Sequence, residues 1–228
     1  MNKGFRVRYQ TYEFDDIDIH LCTLRDRQQY YDPDKVAEAL GINSAVWPLF
    51  GVVWPSSLVL AHHIKDKDTQ SKKILEIGCG IAVTSHLLNQ RGDDITAMDY
   101  HPCAGTFLER NTILNDAPPI PFDCLDWNSD TSALSSFDLI IGSDISYEAE
   151  TIKPLAAFIN QHANSQCEVI IVDAGRGHKA KLSKALAAFG FAVEVQRPAD
   201  PSFLDDSYKG YILSFQRTGE DSVADGSA

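Results

Sequence analysis

Glu76, Gly78, Gly80 and Asp99 combine acid and backbone freedom at a spacing that suits a nucleoside ligand. The stretch Lys73-Ile74-Leu75-Glu76-Ile77-Gly78-Cys79-Gly80-Ile81-Ala82 reads as a buried strand, a tight glycine turn and a helix start. Gly78 and Gly80 let the backbone turn sharply and approach a ligand with no Cβ in the way. A dinucleotide site asks for G-x-G-x-x-G, and here the third glycine is replaced by Val83. An acid just before the first glycine sits poorly beside a pyrophosphate and better beside a cationic or amine-bearing group. Asp99 closes the next apolar run, Ile95 to Met98, where a carboxylate meets ribose hydroxyls. Together these residues point to an adenosyl compound without phosphates. An ordinary strand-to-helix turn of any α/β domain would use the same glycines.

Three further stretches fall beside that turn. Ser143-Asp144-Ile145-Ser146-Tyr147-Glu148 follows an apolar strand, so Asp144 and Tyr147 stand at the carboxyl rim where ligands of open α/β sheets sit. Asp144 as a helix N-cap is the plainer alternative. Leu125-Asp126-Trp127 ends another strand; Asp126 can accept a hydrogen bond from an exocyclic amine, and Trp127 can stack on a ring. A solvated acid and a core tryptophan explain that piece equally well. Trp54, ahead of Pro55, either contacts the ligand or staples the helix start, and Trp47 is assigned to packing.

These residues need a frame, and the chain supplies it. Residues 5 to 24 alternate as a β-hairpin with Asp15-Asp16 in the middle. Asp34 is expected to cap a short helix from Lys35 to Leu40, stopped by Gly41. Pro55 opens a helix to Ile64. Strands at 74–77, 95–98, 122–125, 137–142 and 169–172 then alternate with helices, as in a parallel sheet. Runs 191–195 and 211–215 are joined by a loop, which allows antiparallel insertion of the last strand. The expected organisation is an extension over 1–45 packed on the core, a catalytic domain over 46–217 and a disordered acidic tail over 218–228.

Ile74 to Ala82, Leu125-Asp126-Trp127 and Asp144 to Tyr147, in this order, resemble class I S-adenosylmethionine-dependent methyltransferases of the Asp-x-x-Tyr group. That group holds protein lysine methyltransferases and nicotinamide N-methyltransferase-like proteins. The chain departs from it where Ser143 replaces an alanine. The resemblance implies an α/β Rossmann-like three-layer sandwich with a seven-stranded, mostly parallel sheet. It places S-adenosylmethionine against Trp54, Glu76, Gly78, Cys79 (backbone only), Gly80, Asp99, Asp126, Trp127 and Ser143. It makes Asp144 the group that aligns an amine, supported by Tyr147. The implied reaction is N-methylation, of a protein lysine first, with a small amine or pyridine acceptor, or a non-catalytic adenosyl-binding domain, as alternatives. The resemblance also covers Asn111 and Asn115, one helical turn apart, and Asp173-Ala174-Gly175-Arg176, whose arginine is expected in an internal ion pair.

Composition bounds the rest. The net charge of −12 argues against unaided binding to a nucleic-acid backbone, which needs lysine and arginine. Five scattered cysteines with no C-x-x-C pair, and histidines without metal spacing, indicate no metal site and a reducing, cytoplasmic setting. Met1 to Arg6 lacks the apolar core of a signal peptide, and no run is long enough to span a membrane. No nucleophile elbow is present, and Asp144-Ile145-Ser146-Tyr147 is not the Asn/Asp-Pro-Pro-Tyr element of amide and base N-methyltransferases.

Overall fold

A computed structural model describes residues 4–146 and 149–219. The chain opens with a hairpin, β1 (Val7–Phe14) and β2 (Ile17–Leu24), followed by a short helix α1 (Val36–Ala39) and a 3₁₀ turn over Trp47–Gly51. Helix α2 (Pro55–Ile64) leads to β3 (Lys73–Ile77), α3 (Val83–Gln90), β4 (Asp94–Asp99), α4 (Ala104–Leu114) and β5 (Phe122–Cys124). The second half holds β6 (Phe137–Ser143), α5 (Ile152–His162), β7 (Ala163–Asp173), α6 (Lys179–Ala187), β8 (Ala192–Gln196) and β9 (Tyr211–Arg217). The strand order is β5-β4-β3-β6-β7-β9-β8. β9 runs antiparallel to both neighbours, and β3, β4, β5, β6 and β7 pair in parallel. The expected three-layer sandwich with an antiparallel last strand is therefore present.

The strand periodicity decides which helix layer each side chain meets. Leu75 and Ile77 of β3 face the layer of α5 and α6, where Leu155, Ile159, Leu182 and Leu186 are buried. Ile74 faces the other layer, with Leu60, Ile64 and Leu88 from α2 and α3. Glu76 is two residues on from Ile74, so it too points toward α3 rather than off the end of the strand. β7 is longer than the apolar run 169–172 suggests. Its polar start extends the strand to Ala163, whose carbonyl accepts from Arg217 Nη2 at 2.6 Å.

The hairpin shares a core with the domain. Phe14, Ile19, Leu21 and Leu24 pack with Trp47, Phe50 and Phe107, so Trp47 is a packing residue, as expected. The outer edge of β2 is closed by α4 through two side-chain amides. Asn111 Oδ1 accepts from the Cys22 N–H (2.7 Å) and its Nδ2 donates to the Cys22 carbonyl (3.3 Å). Asn115 does the same for His20, at 2.8 and 2.7 Å. Four residues of helix advance about 6 Å, and two residues of strand about 6.8 Å, so the two spacings nearly coincide.

One cap differs from expectation. Asp34 does not cap α1; Asp32 Oδ2 accepts from the Glu38 N–H at 2.8 Å instead. Lys35 takes a left-handed conformation at the helix start, which shifts the acceptor two residues upstream. Gly41 does end the helix: its N–H donates to Glu38 and that of Ile42 to Ala37. The expected tail over 218–228 lies outside the described residues except for Thr218 and Gly219.

Asn111→Ala would leave the buried Cys22 N–H and carbonyl without partners, at a cost of about 2–3 kcal/mol. Urea unfolding should register that loss, and limited proteolysis should cut the hairpin faster. A variant within about 0.5 kcal/mol of the parent would show that the amides do not hold the hairpin.

Candidate active site

A cavity of about 240 Å³ opens at the carboxyl ends of β3, β4 and β6. This is where the chain, having placed β4 on one side of β3, crosses back to place β6 on the other, the usual ligand position in an open α/β sheet. Its floor is the glycine turn. Gly78 and Gly80 take φ of +60° and +54°, in the left-handed region. A Cβ on Gly80 would lie 3.0 Å from the Phe50 carbonyl oxygen, so the 3₁₀ turn and the glycine turn need each other's proximity. The Cys79 N–H donates to the Met98 carbonyl (3.0 Å), and burial pushes its thiol well above the usual range, which removes it as a nucleophile.

Asp99, buried at the end of β4, accepts from the Gly80 N–H and the His101 N–H, each at 2.8 Å. Burial raises its pKa, and those backbone hydrogen bonds oppose the rise. It lines the cavity with Tyr100 and His101. The His101 ring stacks on Phe50 with centroids 4.0 Å apart. The Cys103 N–H donates to His101 Nδ1, which places the proton of the neutral ring on Nε2. Burial holds His101 neutral, with its pKa lowered to about 4. Nε2 has no hydrogen-bond partner among the described residues. The buried Asp99 carboxylate on this wall suits a hydroxyl-bearing ribose.

Trp54 and Trp127 supply aromatic walls. The Trp54 indole N–H donates to the Leu49 carbonyl (2.9 Å), tying α2 to the 3₁₀ turn, and Arg27 lies 4.9 Å from its ring centroid. Ser143 and Asp144 line the cavity from the end of β6. Asp144 has φ of +55° and its N–H donates to the Val172 carbonyl, so it turns the chain out of the strand and is no helix cap. Its carboxylate is held by Arg176, Nε to Oδ1 at 2.9 Å and Nη2 to Oδ2 at 2.8 Å. The expected internal ion pair of Arg176 is thus made with Asp144.

Seven of the nine expected cofactor contacts, Trp54, Gly78, Cys79, Gly80, Asp99, Trp127 and Ser143, line this cavity. Glu76 and Asp126 do not. Glu76 is buried behind the turn and accepts from the Ser85 N–H (2.8 Å) and, at short range, the Ser85 hydroxyl. Asp126 is exposed and accepts from the N–H and side chain of Asn128, both at 2.9 Å, in a local turn. Tyr147 lies outside the described residues. Phe50, Tyr100 and His101 belong to the site without having been singled out. The aromatic run Val46 to Trp54 and the His101-Pro102 pair after Asp99 were the available signals. No cluster of three His, Cys, Asp or Glu residues suited to a metal occurs among the described residues, and no described helix is long and apolar enough to cross a membrane.

Solved methyltransferases share this architecture. The ribosomal protein L11 methylase of Lactobacillus delbrueckii subsp. bulgaricus superposes with a TM-score of 0.60 at 19 % identity, over 74 % of this chain and 81 % of that one. Magnesium protoporphyrin IX methyltransferase of Synechocystis PCC 6803, with bound SAM, gives 0.57 at 16 % identity, over 85 % and 89 %. The fold is that of class I S-adenosylmethionine-dependent methyltransferases, whose cofactor is S-adenosylmethionine. A family model described as lysine methyltransferase matches residues 43–184, and the chain belongs to that family. Protein N-lysine methyltransferase METTL21A of Xenopus tropicalis is 29 % identical over 140 residues, 55 % of this chain and 62 % of that protein. Histone-arginine methyltransferase METTL23 of Rattus norvegicus is 28 % identical over 114 residues, 47 % and 51 %. The chain thus spans about half to three-fifths of the length of these curated relatives.

Glu76 makes the stability of the fold pH-sensitive. Burial raises its pKa from 4.5 to about 7, with the Ser85 hydrogen bonds opposing the shift. The unfolded chain releases this proton near 4.5 and the folded chain near 7. The associated stability, about 3 kcal/mol, is therefore complete below pH 4.5 and is lost as pH rises through 7. E76Q removes the ionisation. Thermal unfolding should show the parent losing stability relative to E76Q between pH 5 and 8; parallel curves would contradict this.

Proposed function

We propose that this protein transfers a methyl group from S-adenosylmethionine to the ε-amine of a lysine side chain in another protein. The supporting observation is the pairing of two acids in one cavity, Asp99 against the glycine turn and Asp144 at the end of β6. The Asp99 wall suits an adenosyl group, and Asp144 suits a cation. When bound, the cofactor supplies a sulfonium methyl; the acceptor nitrogen's lone pair forms the N–C bond as the C–S bond breaks, leaving a neutral thioether and a proton that passes to water. A lysine must first lose its proton, since its free pKa is about 10.4. Leu49, Val52 and Ile145 line the same cavity, and such an apolar lining disfavours the ammonium form. Asp144 then attracts and aligns the amine, and the bound geometry does the remaining work of proximity.

An arginine acceptor is the second reading, favoured by the similarity to histone-arginine methyltransferase METTL23. D144A should lower transfer by about 10²-fold or more while calorimetry gives nearly unchanged affinity for S-adenosylhomocysteine. Full transfer by D144A would remove Asp144 from the mechanism. Labelled cofactor added to a lysate lacking this protein should label a protein band. Label confined to small molecules would sink the lysine reading, and affinity without any turnover would leave an adenosyl-binding domain.

A further inference from the structure

We propose that Arg176 is a specificity-determining residue: a built-in guanidinium that reserves Asp144 for acceptors with a single ammonium and so excludes arginine. This rests on the methyltransferase reading above. A carboxylate offers about four lone-pair positions, two on each oxygen. Arg176 takes one from each oxygen with its planar fork, at 2.9 and 2.8 Å. The edge it occupies is the one that a second guanidinium would need, because bidentate pairing uses both oxygens at once. An ammonium is a compact charge with three rotatable donors, and one remaining lone pair is enough to hold it. Lysine can therefore join the pair, whereas arginine must displace Arg176.

Displacement is opposed from both sides. The Asp144 side chain is only 13 % exposed and that of Arg176 is 49 % exposed, so the carboxylate is poorly hydrated and an intruder would have to replace the pairing in full. Asp144 is fixed by its own N–H bond to Val172. The turn bearing Arg176 is fixed as well. Gly175 (φ +86°) donates its N–H to Asp173 Oδ1, and Asp173 Oδ2 accepts from the buried Ser146 hydroxyl. A Cβ on Gly175 would lie 3.0 Å from the Lys209 carbonyl oxygen, so the turn also abuts the segment before β9. Arg176 and Asp144 both line the cavity, so the occupied fork stands where an acceptor would meet the carboxylate.

The test incubates the parent chain, R176Q and R176K with tritiated S-adenosylmethionine and a lysate of source cells lacking this protein. Circular dichroism confirms that the variants are folded. Acid hydrolysis then separates methyl-lysine from methyl-arginine. The parent should label lysine, and R176Q should lower the lysine-to-arginine ratio by about tenfold or more, the scale of one charge-assisted hydrogen bond. R176K, which keeps the charge but not the fork, should fall between them. An unchanged ratio in both variants would overturn the inference, as would arginine labelling by the parent or loss of all transfer in both folded variants. A parent that labels neither residue would instead overturn the protein-acceptor reading, and this inference with it.

Discussion

Asp99 has both carboxylate oxygens engaged by backbone N–H groups, one from the glycine turn after β3 and one from the loop after β4. A carboxylate buried to this degree is tolerable only with such partners. They in turn fix where two neighbouring loops leave the sheet. His101 is then held against Phe50, and Phe50 sits over Gly80, so one wall, the floor and the 3₁₀ turn are set by a single acid. The cavity owes its shape to this chain of contacts more than to any one lining residue.

The fold was legible because the central strands are buried on both faces. Val169 to Val172 reads as an unbroken apolar run, and Ile74 to Ile77 and Phe137 to Gly142 as apolar runs each interrupted by one acid, Glu76 and Asp138; the alternation with helices followed. The loop between the last two strands carried the antiparallel ending. Glycines with positive φ at the mouth of β3 were legible for the same reason: few residues other than glycine adopt that conformation cheaply.

The acids were only half legible. The sequence places Glu76, Asp99, Asp126 and Asp144 at strand ends but says nothing of how their oxygens are used. Glu76 follows the pleat of β3 toward α3 and meets Ser85, and Asp126 is captured by the Asn128 two residues on. Asp32 outcompetes Asp34 for the start of α1 because Lys35 turns left-handed. In each case a nearby backbone N–H decided the matter, and such groups leave no mark on residue type. The stacking of Phe50 on His101 joins segments about fifty residues apart, which no local pattern could announce.

The amide ladder from α4 to β2 has a consequence for how this protein can vary. Asn111 and Asn115 engage Cys22 and His20, so the helix reads the strand at every second residue. A single-residue insertion between His20 and Cys22 would break this phase and turn the inward side chains of β2 to solvent. A change in length at the Asp15-Asp16 turn would leave it intact, since both contacts lie beyond that turn. Drift in length among descendants of this sequence should accordingly collect at the tip of the hairpin and spare its root.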